Sequence, residues 1–121
     1  MSLNTIETSY DFENFLERIR AYKQKNIIVI ANIHWGQEYE KKQNQKQEDM
    51  AHRMVDAGAR LVIGHHPHVV QGEEIYDGVP IYYSLGNFVF DQVFPETREG
   101  WLVGCSMSRE KTTCEKIPLY R

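Results

Sequence analysis

Two apolar runs, NIIVIANI at 26–33 and RLVIG at 60–64, constrain this chain more than anything else in it. The first is β-branched with little alternation, the pattern of a strand covered on both faces, as in parallel sheets. The segment HWGQEYEKKQNQ that follows is polar and carries a glycine, so it reads as the loop leaving that strand. Helical spacing returns from about Asn44 to Ala57 through Met50, Met54 and Ala57, on a face that Ala51 and Val55 widen, and Gly58 suits a C-cap. Strand, helix, strand is a βαβ unit, whose right-handed crossover sets its strands side by side. Residues 27–33 and 60–64 are therefore expected to be neighbouring parallel strands, bridged by a helix over about 44–57.

Upstream, Phe12, Phe15, Leu16, Ile19 and Tyr22 recur at three- and four-residue steps, which predicts an amphipathic helix from Asp11 to Gln24. Downstream, VVQGEEIYDGVPIYYSLGNFVF sets apolar runs on either side of Asp77-Gly78, a pair that supplies a tight hairpin turn. WLVGCSMS and CEKIPLYR alternate like two further strands. Tyr82, Tyr83, Phe88 and Phe90 read as strand core. Cys105 and Cys114 match no metal or redox spacing and read as ordinary packing residues, with a disulfide open to them if 101–108 and 112–120 pair as a hairpin. The fold class is α/β: a βαβ unit followed by β-hairpins.

With 121 residues, 41% of them hydrophobic, the chain suits one domain with a core. A net charge of -3 gives no long-range attraction to phosphate backbones or anionic lipid, so nucleic acid is not an expected partner. No apolar run nears the ~18 residues of a membrane span, and MSLNTIETSY lacks the order of a secretory signal, so a soluble chain is expected. No organic cofactor is indicated.

The chemistry concentrates in LVIGHHPHVVQG at 61–72, which holds three of the five histidines. In a parallel βαβ unit His34 and His65 to His68 emerge at the same carboxyl edge of the sheet, where open α/β sheets build ligand sites. A residue before proline is pushed toward extended backbone, so His66 and His68 are expected to point to one side, with Cα atoms about 6.5 Å apart from the strand rise. Two such imidazoles suit one divalent metal or two metals ~3.5–4 Å apart, with zinc and iron favoured by imidazole and manganese by added carboxylates. His65 points away on this reading. Glu38 and Asn87 are candidate oxygen ligands or outer acceptors, whereas His52, inside the second helix, reads as a surface or packing residue.

Together, IHWGQEY and DAGARLVIGHHPHVVQGEEIYDGVPIYYSLGNFVF resemble the later part of the capsule-biosynthesis CapA (poly-γ-glutamate synthesis) domain, which is similar to calcineurin-like metallophosphoesterases. The likeness spans about residues 27–91; Arg60 departs from it, standing where that family usually has an acidic residue. It implies the second half of a metallophosphoesterase-like β-sandwich with flanking helices. It also implies a metal site in which His34 fills the later histidine and His66 with His68 the final pair, with His65 as the alternative to His66. The Asp-x-His, Gly-Asp and Gly-Asn-His elements of such phosphoesterases have no counterpart upstream of His34. The resemblance therefore implies one partial CapA-like domain over 1–121, carrying the histidine half of a site and inactive alone. The alternatives are a complete phosphoesterase-like hydrolase with a mononuclear histidine site, or a structural, oligomerising module. A homo-oligomer or a companion chain supplying the other half is the expected partner. Relatives are often tethered to the membrane outside the cytoplasm, but nothing here does the tethering.

Overall fold

The computed structural model describes residues 2–3, 9–88 and 94–120, with side chains from residue 11 onward. In chain order these form β1 (Ser2–Leu3), α1 (Ser9–Gln24), β2 (Val29–His34), α2 (Gln45–Ala57), β3 (Ala59–His65), β4 (Glu73–Tyr76) and β5 (Val79–Tyr82). A short 3₁₀ helix (Pro95–Arg98) then leads into β6 (Glu99–Met107) and β7 (Thr112–Tyr120). The five-stranded sheet runs β1-β2-β3-β5-β4, parallel except for β4, and β6 pairs with β7 as a separate antiparallel hairpin. The βαβ unit is thus as expected: β2 and β3 are adjacent and parallel, with α2 crossing between them.

Local chemistry sets the ends of α2. Asn44 caps it reciprocally, its side chain accepting from the Gln47 amide while Gln47 Oε1 accepts from the Asn44 amide, a capping box. At the other end Gly58, at φ +126°, donates to the Met54 and Val55 carbonyls. Phe12, Phe15, Leu16 and Ile19 of α1 and Met50, Ala51, Met54 and Val55 of α2 close one core with Val29, Ala31 and Ile33 of β2. Ile30 and Asn32, between those strand residues, are only half-buried, so the run covered on both faces is in fact fully covered on one. The second face carries the β6–β7 hairpin, whose Trp101 meets Tyr82 edge to face at 6.4 Å. That layer lies over β5, leaving β2 half open.

The Asp77-Gly78 turn joins β4 to β5 with both residues at positive φ, 49° and 75°, as a two-residue type I′ turn requires. Tyr82 and Tyr83 are core, as expected, but Phe88 is 67% exposed. Asn87 turns inward, and its neighbour is carried outward by strand-like alternation. Phe90 lies outside the described residues. The cysteines also differ from packing residues, because the β6–β7 register sets Cys105 opposite Cys114 and the two are joined as a disulfide. Arg60 lies at the far end of β3 from the histidines and donates to the Ser108 and Arg109 carbonyls at 2.9 and 2.6 Å, fastening the hairpin turn to the sheet. His52 pairs with Glu74 at 2.5 Å and stacks on Tyr76, a packing role.

Candidate metal centre

The ends of β2 and β3 are in register, His34 opposite His65, so both loops leave the sheet at one edge. The Trp35 amide donates to the His65 carbonyl at 3.0 Å and extends the ladder one step. Just before the histidines, Gly64 lets the next strand close in. A Cβ there would stand 2.0 Å from the Tyr83 carbonyl oxygen and 2.3 Å from Trp35 Nε1, the two atoms that share a 2.8 Å hydrogen bond. Only a residue without a side chain permits this lock beneath the loop.

His66 and His68 do not take the extended backbone expected around Pro67; their φ values are +104° and +62°. Tertiary bonds override the pre-proline preference. The Tyr39 amide donates to the Pro67 carbonyl at 2.8 Å, and Pro67 itself is fully buried, so the loop is pulled inward at its centre. Strain of this kind persists only where the surroundings over-determine the conformation, and it concentrates at ligand sites.

One atom each from Glu38, His66 and His68 lies within 4.8 Å of both others. Both imidazoles are half-buried and the carboxylate is exposed, so the cluster opens to solvent on the Glu38 side. The His34 ring lies 4.4 Å from that of His66, beside the cluster. His65 is exposed, at the ladder end. Asn87 stands behind His68: its Nδ2 donates to the Thr97 carbonyl at 3.1 Å, which turns Oδ1 toward His68 Nδ1, 3.0 Å away. An Nδ1–H of His68 would donate to this oxygen, the kind of outer hydrogen bond that orients an imidazole ligand.

Desolvation lowers the His34 pKa, and the nearby charges of His66 and His68 lower it further. His65 is lowered too, by desolvation first and then by the charge of His34. Both effects favour neutral rings, the form that binds metal. Two aromatic rings not singled out as site residues from the sequence line one flank: Tyr39, 6.3 Å from His68, and Phe94, edge-on to Tyr39 at 5.4 Å. Tyr39 sits one residue after Glu38, at φ +67°.

The family model described as bacterial capsule synthesis protein PGA_cap matches residues 2–92. The chain belongs to that family. It is 45% identical over 102 residues to the PGA biosynthesis protein CapA of Bacillus subtilis, covering 84% of this chain and 27% of that protein. It is 51% identical over 76 residues to the capsule biosynthesis protein CapA of Bacillus anthracis, 63% of this chain and 18% of that one. A probable polyglutamine synthesis accessory protein of Mycobacterium tuberculosis is 36% identical over 74 residues, 61% of this chain and 20% of its own length. This chain thus spans only 18–27% of the length of these curated relatives, each of which it resembles over part of its own sequence. No helix among the described residues is long and apolar enough to cross a membrane.

Proposed function

We propose that Glu38, His66 and His68, with His34 beside them, hold a divalent cation and form one part of a metallophosphoesterase-like site. The reading rests on one observation, the convergence of two imidazoles and a carboxylate to within 4.8 Å. The donor set fits zinc, iron or manganese, since imidazole nitrogen with carboxylate oxygen suits all three. A metal there would supply Lewis acidity and an activated water. The chain's own residues do the positioning: Asn87 bonds His68 at Nδ1, burial and the neighbouring histidines hold the His34 pKa below its ordinary value, and Tyr39 with Phe94 walls one flank.

Three ligands make a mononuclear site at most. In this reading residues 1–121 are one partial domain, and the carboxylates for a second metal come from a longer chain, a companion chain or a second copy. The chain alone would then bind metal without turning over a phosphodiester, in a protein serving capsule or poly-γ-glutamate synthesis. Calorimetric titration with zinc at neutral pH tests this. One site of micromolar affinity is expected, weakened at least tenfold by His66→Ala or His68→Ala and unchanged by His52→Ala. Binding no tighter than millimolar would refute the site, and metal-dependent phosphodiester hydrolysis by the chain alone would replace the partial reading with a complete enzyme.

A further inference from the structure

Two buried glutamines tie the loop of Glu38 to the loop of the histidines. Gln47, on α2, and Gln71, three residues after His68, are only 2% and 3% exposed. Burying a primary amide is costly unless its groups find partners, and these do. Gln47 Nε2 donates to Gln71 Oε1 at 2.9 Å, and Gln47 Oε1 closes the capping box of α2. Gln71 Nε2 donates to the Glu40 carbonyl at 2.8 Å, with the Lys42 carbonyl at 3.4 Å. The Gln47 amide also lies under Gly36, where an added Cβ would come within 2.9 Å of Nε2. Further along, Gln43 Oε1 accepts from the Gly72 amide at 3.1 Å.

The loop over 36–43 is therefore bonded at Glu40, Lys42 and Gln43 to residues 71–72, which lead into β4, while the Tyr39 amide bonds the Pro67 carbonyl. Glu38 itself is exposed and has no burial to fix it. Its distance from His66 and His68 is set by the backbone that carries it, and that backbone is held by the Tyr39–Pro67 bond and, one residue further on, by Gln71 at the Glu40 carbonyl.

We infer that Gln71, braced by Gln47, is a positioning residue that holds Glu38 at ligand distance from His66 and His68. The inference rests on the metal reading above and adds a group that touches no ligand. A Gln71→Met variant keeps the volume of the side chain and removes its hydrogen bonds. It should lose zinc affinity about tenfold, the size typical of a lost outer partner at a metal site. A merely structural role is separated in two ways. In a Glu38→Gln background, adding Gln71→Met should cost no further affinity. A core variant matched for loss of thermal stability, Val79→Ala, should bind zinc as the wild type does. An equal loss in the Glu38→Gln background, or in Val79→Ala, would overturn the positioning role. Hydrogen exchange of the metal-free protein supplies an arm that needs no zinc: Gln71→Met should speed exchange of the Tyr39 amide while leaving Trp35 protected. Unchanged Tyr39 exchange overturns the clamp. Faster exchange in a protein that takes no zinc upholds the clamp and overturns the metal reading alone.

Discussion

Replacing Gly64 with alanine puts a close backbone approach under test. The new Cβ would stand 2.0 Å from the Tyr83 carbonyl oxygen and 2.3 Å from Trp35 Nε1, and the carbonyl belongs to backbone that cannot swing aside. Relief to an ordinary contact near 3.4 Å requires β3 and the segment after β5 to part by more than an ångström. Overpacking of that kind costs about 1–3 kcal/mol. Parting them also breaks the 2.8 Å bond between the buried Trp35 indole and Tyr83, which leaves donor and acceptor unpaired. That loss adds about 1–3 kcal/mol. The sum, roughly 2–6 kcal/mol, is a large share of a typical domain's stability. For a chain of this length it corresponds to a fall in Tm of roughly 10–25 °C. Thermal unfolding followed by circular dichroism, with tryptophan emission for the Trp35 environment, measures it. A Gly64→Ala protein melting within about 2 °C of wild type would refute the reasoning, because the contact would then be relieved without cost.

Other outcomes follow from the same contacts. Burial raises the Glu74 pKa, but hydrogen bonds from Tyr83 and His52 and the charge of His52 outweigh it, so the folded value lies below the ordinary one. The folded state then holds fewer protons, and the stabilisation from Glu74 is present above the unfolded pKa and lost as pH falls through the folded one. The urea midpoints of wild type and Glu74→Gln should accordingly differ near neutral pH and converge in acid; a constant gap would contradict this. Reducing the Cys105–Cys114 disulfide, which closes a loop of sequence separation 9, should cost about 2–3 kcal/mol of unfolding free energy, seen as a lower denaturant midpoint. Thiol titration of the untreated unfolded chain should find no free cysteine. Leu102 and Ile117, cross-strand neighbours on the hairpin, are 50% and 48% exposed, so light scattering should give a mass above 14.2 kDa at micromolar concentration, and a monomer would show that this face needs no cover.

The βαβ unit was legible because run length, capping residues and crossover rules all pointed one way, and those same rules place His34 and His65 at one edge. The backbone of His66 and His68 was not legible. It depends on the Tyr39–Pro67 bond between loops 28 residues apart in sequence, and a local proline preference carries no information about such a partner. For the same reason Glu38, legible as a candidate oxygen ligand, gave no local sign of how closely it would approach His66 and His68. Gln47 did leave a trace: it shares a helical face with Met50 and Met54, where a polar residue signals a buried partner. The disulfide waited on register, since pairing Cys105 with Cys114 needs the turn at 108–111, and a slip of one residue would separate them.

The most direct test of the metal site is X-ray absorption at the zinc edge on protein loaded with one equivalent of the ion. The account predicts two imidazole nitrogens at about 2.0–2.1 Å with a carboxylate oxygen at about 2.0–2.2 Å, one imidazole lost in His66→Ala or His68→Ala, and the carboxylate lost in Glu38→Gln. A spectrum unchanged by these three substitutions, or one altered instead by His52→Ala, would contradict it.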